Sequence, residues 1–155
     1  MIKLIPLLIF TAFSVQTFAA PAKKQEATIT GDYSLGMAGT KMVVTLKKEV
    51  CEVASSGQDA ADGQPPKEFK ITLTCKDKKQ VIWDIQKPSP NEPFFDEPAF
   101  SILWAGDQDG DGKIDLKMNL SAKYSCQKIV LLLSTKAKPG DLVGASGKPG
   151  GDCNL

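Results

Sequence analysis

The chain has 155 residues, with 19 lysines and arginines against 18 acids, a formal charge of +1 and no histidine; every basic residue is lysine. A near-neutral chain lacks the basic excess that a phosphate backbone demands, and without arginine it has no planar fork for phosphate or carboxylate. The absence of histidine removes Ser-His-Asp and Cys-His chemistry and the commonest zinc ligand, so catalysis would have to rest on paired carboxylates or a lysine base.

Residues 1–19 read as a secretory signal peptide. Lys3 precedes an apolar run over 4–15, and Thr17 and Ala19 supply the small residues before a cut after Ala19. The run is broken by Pro6 and is shorter than the ~20 residues a spanning helix needs, so no membrane span is expected after cleavage. Taking 19 from 155 leaves 136 residues, enough for one domain. Residues 20–32 read as a flexible N-terminal arm, and 33–155 as a single domain.

Period two then dominates. Residues 41–55 are rich in β-branched side chains, and residues 55–66 read as a polar loop. The stretch FKITLTCK alternates Phe69, Ile71, Leu73 and Cys75 with Lys70, Thr72, Thr74 and Lys76, the pattern of a strand with one wet face. After a turn at DKKQ comes VIWDI, then a proline-studded connection over 86–98 that cannot be helical. AFSILWA, KIDLKMNL and CQKIVLLLS follow as strands, and the glycine- and proline-rich tail allows at most a short strand at Leu142 and Val143. Six to eight short strands at hairpin spacing predict an all-β fold, a single small β-sandwich or antiparallel meander, with Trp83 and Trp104 expected in the core and a ligand surface as the alternative for each.

All four cysteines lie beyond the leader. An even count in an exported chain predicts two disulfides with three possible pairings, of which Cys51 with Cys75 and Cys126 with Cys153 is preferred because each links neighbouring segments.

Residues 104–116, WAGDQDGDGKIDL, concentrate four aspartates in one turn. Counting from Asp107, carboxylates fall at positions one, three, five and nine (Asp107, Asp109, Asp111, Asp115), glycine stands at six (Gly112), and Lys113 offers a backbone carbonyl at seven. This is most of the calcium-loop pattern, in which odd positions face one ion and glycine permits the sharp turn. Crowded hard oxygen ligands favour Ca2+ over magnesium, which prefers to keep its water. Position twelve is Met118 rather than a bidentate glutamate, and both flanks alternate as strands. The loop is therefore expected in a β-hairpin, with Met118 in the core beside Ile114, Leu116 and Leu120. The plainer reading, a soluble Asp-Gly turn, accounts for Asp111 and Gly112 but not for the other three aspartates.

In this respect residues 106–116 resemble the hairpin calcium loops of FG-GAP and related secreted β-repeat proteins, with their DxDxDGxxD pattern. A stretch of about 45 residues from Ile102 is also similar to a group of small exported bacterial proteins of largely unknown function that carry a WAGDxDGDGKxDL segment. The resemblance implies Asp107, Asp109, Asp111 and Asp115 as side-chain ligands and Lys113 as a backbone ligand, and one copy here excludes a multi-blade propeller.

A second acidic group, Glu92, Asp96 and Glu97, reads mainly as a solvated loop; its sharper alternative is a supplementary ligand or half of a carboxylate pair for glycoside hydrolysis. The expected function is an exported, periplasmic or secreted calcium-binding β-domain with a non-enzymatic binding or envelope-structural role and a protein partner in the envelope. No catalytic residue is assigned. The alternatives are a metal- or carboxylate-dependent hydrolase and a small secreted inhibitor presenting residues 88–98.

Overall fold

The computed structural model describes residues 24–32, 34–58, 67–87 and 95–151. Residues 1–19, Cys153 and Glu92, on which the leader, second-disulfide and acidic-loop expectations rest, lie outside these residues. Among the described residues ten strands run in chain order: β1 (Gln25–Glu26), β2 (Thr28–Gly31), β3 (Lys41–Leu46), β4 (Glu49–Gln58), β5 (Lys67–Cys75), β6 (Lys78–Asp84), β7 (Ser101–Asp107), β8 (Asp115–Asn119), β9 (Ile129–Leu133) and β10 (Gly144–Ala145). The other regular element among the described residues is one turn of 3-10 helix, Ser134–Lys136. None of their helices is long and apolar enough to cross a membrane.

The strands form two antiparallel five-stranded sheets, ordered β2-β3-β4-β5-β6 and β1-β7-β8-β9-β10. Each is a four-strand meander with one arm strand added at its edge. Alternation sets the buried faces: Met42, Val44 and Leu46 on β3, Val53 on β4, and Phe69, Ile71 and Leu73 on β5 point inward. They meet Ala105, Leu116, Met118, Val130 and Leu132 from the second sheet in one continuous core. At one end Phe69, Trp83, Phe95 and Phe100 form an aromatic group with ring centroids 4.7–6.2 Å apart. The disulfide Cys51–Cys75 joins directly opposed residues of β4 and β5, as expected. By the chain-entropy model, closing its loop adds about 3 kcal/mol. Cys126 is buried; its expected partner lies outside the described residues.

Four expectations are corrected. Part of the supposed loose arm is ordered: β1 pairs with β7 and β2 with β3, while the Ala27 amide between them donates to Ala105 O at 2.9 Å. Because β2 is exposed along its whole length and held by backbone hydrogen bonds, it leaves no apolar period to read. Residues 55–58 extend β4 rather than opening a loop. Ser55 is polar yet faces inward, where its hydroxyl bonds Thr40 and the Met37 carbonyl. In the tail the strand is β10, not 142–143. The Leu142 and Val143 amides are instead taken by the Gln80 side-chain oxygen at 2.7 and 2.9 Å, and Gln80 Nε2 donates to Val143 O. Finally, Trp83 is in the core but Trp104 is not. A bulge between Ile102 and Trp104 shifts the register of β7, so Trp104 pairs with the exposed Lys117 and turns to the outer face.

Candidate metal centre

The acidic loop connects β7 to β8 as a hairpin, with Gly106 paired to Asp115 at its base. Gly110 and Gly112 take φ of 84° and 82°, left-handed values that let the chain turn twice within seven residues. The loop winds around Asp107, whose two oxygens accept from the amides of Gly110 (2.6 Å) and Gly112 (2.9 Å). Met118, Ile114, Leu116 and Leu120 are all buried, as the strand alternation requires, and Met118 has no exposed surface.

Asp107, Asp109 and Asp115 each offer a carboxylate oxygen within 4.8 Å of the other two. Asp107 and Asp115 are buried. Asp115 is held from both sides, its Oδ2 accepting from the Gln108 amide (2.7 Å) and its Oδ1 from the Ser134 amide (2.8 Å). Asp109 stands at the rim, where Oδ2 accepts from the Thr135 hydroxyl, while Oδ1 is buried without a hydrogen-bond partner. Asp111 is beside this group rather than in it. Its Oδ2 accepts from the Ser134 hydroxyl at 2.6 Å and lies 3.9 Å from Lys113 Nζ, and its Oδ1 accepts from the Lys113 amide. Lys113 thus meets Asp111 through its amide and ammonium. Asp96 and Glu97 do not join the group; Asp96 bridges to Lys123 through its backbone.

Burial pushes the Asp115 carboxyl above its usual 3.8, and the charges of Asp109 and Asp111 add to the rise, while the Ser134 and Gln108 amides oppose it. The rise is chiefly the cost of taking the carboxylate out of water, with the neighbouring aspartates a smaller part of it. A carboxylate oxygen has two lone pairs, so those of Asp107 and Asp115 that accept one N–H retain a second, and Asp109 Oδ1 retains both. Oxygens bound to one calcium ion at about 2.3–2.6 Å stand up to about 5 Å apart, a span that accommodates this triad. The donor set, all oxygen and all anionic, fits a hard dication.

Four supporting residues were not legible in the sequence. Glu49, at the start of β4, accepts from the Ile114 amide at 3.1 Å and ties the loop to the opposite sheet. Ser134 and Thr135, in the 3-10 turn after β9, and the Gln108 amide complete the frame. Glu49, Ser134 and Thr135 come from 65, 19 and 26 residues away from the groups they bond, so no local spacing announces them.

No protein-family model, no curated protein and no solved structure matches this chain.

Proposed function

We propose that this protein is an exported calcium-binding β-sandwich with a non-enzymatic binding or structural role in the cell envelope. The observation that carries the reading is Asp109 Oδ1, a buried anionic oxygen with no hydrogen-bond partner, set among carboxylates within 4.8 Å. A buried carboxylate oxygen left without a partner is costly, and a dication among these carboxylates offsets that cost. Asp107, Asp109 and Asp115 would hold the ion, with Asp111 and the Lys113 carbonyl joining as the loop tightens. Calcium suits the reading better than magnesium because crowded carboxylates leave little room for retained water. Bound there, the ion clamps the β7–β8 hairpin to the turn after β9. Export is supported by the leader-like residues 1–19 and by the Cys51–Cys75 disulfide, which belongs to an oxidising compartment. We assign Cys126 to Cys153 as a second disulfide, a pairing that peptide mapping by mass spectrometry tests directly.

Calorimetric titration of the exported protein should give one calcium site with an affinity of about 10⁻⁴ to 10⁻³ M or somewhat tighter, since position twelve supplies no bidentate glutamate. Calcium at 100 times the dissociation constant should add about 2.7 kcal/mol to stability. An identical melting temperature in chelator and in millimolar calcium refutes the reading.

A further inference from the structure

The outer face of the β1-β7-β8-β9-β10 sheet carries a groove of about 400 Å³ lined by Lys24, Leu103, Trp104, Gln108, Lys117 and Leu131. Trp104, Lys117 and Leu131 form one cross-strand row, because Trp104 pairs with Lys117 and Lys117 with Leu131. The bulge in β7 that turns Trp104 outward also leaves Leu103 49% exposed. Gly106 pins the edge of the indole: a Cβ there would stand 2.6 Å from Trp104 Cζ2. Lys24 Nζ lies 5.2 Å from the ring centroid, a cation–π contact at the end of the arm. Among the described residues no carboxylate lines the groove, and neither Lys24 nor Lys117 is in an ion pair. Glu26, the register partner of Gly106, is on the same face but outside the lining.

We propose that this groove binds an acidic glycan chain, one bearing uronate carboxylates. The part-buried indole provides an apolar plate for the C–H face of a pyranose once Lys24 swings from the ring to the uronate, which it and Lys117 complement, and Gln108 lines the groove beside them for hydroxyls. The volume falls in the range of small-ligand sites. An extended acidic peptide fits less well, because β1 already occupies the β7 edge at Gly106 and Asp107, the stretch of that edge next to Gln108. A nucleic acid would need a long basic track with arginine, and this chain has neither.

The groove adjoins the acidic loop: Gln108 belongs to both, and Asp115 precedes Lys117 by two residues and so shares its face. In this respect the inference rests on the calcium reading. Without an ion, the four aspartates beside Gln108 repel an anionic sugar; with one, the two lysines dominate. Glycan binding should therefore require calcium.

The test is calorimetry on the exported protein with a hexasaccharide of alternating glucuronate and N-acetylglucosamine, its carboxyl-reduced neutral counterpart, and a short poly-glutamate, each in calcium and in chelator. The acidic hexasaccharide should bind in calcium about tenfold more tightly than the neutral one, and Trp104→Ala and the double variant Lys24→Gln/Lys117→Gln should each weaken it about tenfold. The double variant changes only solvent-facing charges, so it keeps the test decisive should Trp104→Ala fold poorly; calcium titration and melting verify each variant. No hexasaccharide binding by a protein that binds calcium overturns the groove proposal alone. Poly-glutamate binding as tight as the hexasaccharide, with no effect of Trp104→Ala, overturns it in favour of an acidic peptide. Absence of calcium heat on the protein alone overturns the metal reading instead.

Discussion

Replacing Asp109 by asparagine separates an ion-holding carboxylate from a merely structural one, because the two roles predict opposite signs in chelator. The amide oxygen of asparagine can still accept from the Thr135 hydroxyl, so the change removes charge while keeping that bond. Two unit charges 4.8 Å apart, the outer limit for this triad, repel by about 1 kcal/mol in water and about 3.5 kcal/mol at an effective dielectric of 20. Asp109 faces two such partners, but it stands at the rim, where solvent screens it. Relief of about 2 kcal/mol in total is therefore the reasonable expectation, a rise in melting temperature of about 6 °C in chelator. In calcium the variant loses an anionic ligand. If affinity falls about thirtyfold, calcium at 100 times the wild-type dissociation constant adds about 0.9 kcal/mol instead of 2.7, so the two proteins converge in stability. Thermal melts of both proteins, with and without calcium, read all four values. A variant destabilised equally in both conditions, or one with an undiminished calcium shift, refutes the reasoning.

Three further outcomes follow from the same geometry. Gly106→Ala should cost about 1–3 kcal/mol and speed proteolysis near residues 24–27, because its Cβ would stand 2.1 Å from Gln25 O and β1 must move away; unchanged proteolysis would mean that the arm is not docked there. Met118→Glu should leave calcium affinity flat or weaker and destabilise the fold by several kcal/mol in a urea melt, since the strand carries Met118 about 10 Å past Asp115 and buries it fully; tighter calcium with stability preserved would refute the hairpin. In chelator the folded Asp115 holds its proton more tightly than the unfolded chain does, so its contribution to stability is greatest below pH 3.8 and falls as pH rises toward the elevated folded value. Calcium favours the ionised form, so the difference between calcium and chelator melts should widen as pH rises from 4; a difference equal at pH 4 and pH 7 would count against an ionised site.

The parts of the fold that were legible in the sequence are those where burial and period coincide. Phe69, Ile71, Leu73 and Cys75 alternate on a strand with one buried face, and that alternation is the strand. The exposed β2 pairs through its backbone alone, the Gln80 amide takes donors from a segment 62 and 63 residues away, and a single bulged residue turned Trp104 from core to surface. Each depends on a hydrogen bond or register that side-chain hydropathy does not encode.

The candidate site divides along the same line. Its charge is local, since four aspartates within nine residues can be read from spacing, and the glycines that permit the turn stand among them. Its frame is not local. Ser134 and Thr135 arrive from the far end of β9, and Glu49 reaches the loop from the opposite sheet. An isolated loop peptide would carry the aspartates without the Ser134 amide that holds Asp115 or the Glu49 contact that orients Ile114. The orphaned oxygen of Asp109 is buried only where the hairpin, the 3-10 turn and the sandwich edge meet. An ion held at this position would therefore be coupled to the packing of the whole β-sandwich, which is why global unfolding, rather than a loop-local signal, is the measurement that tests for it.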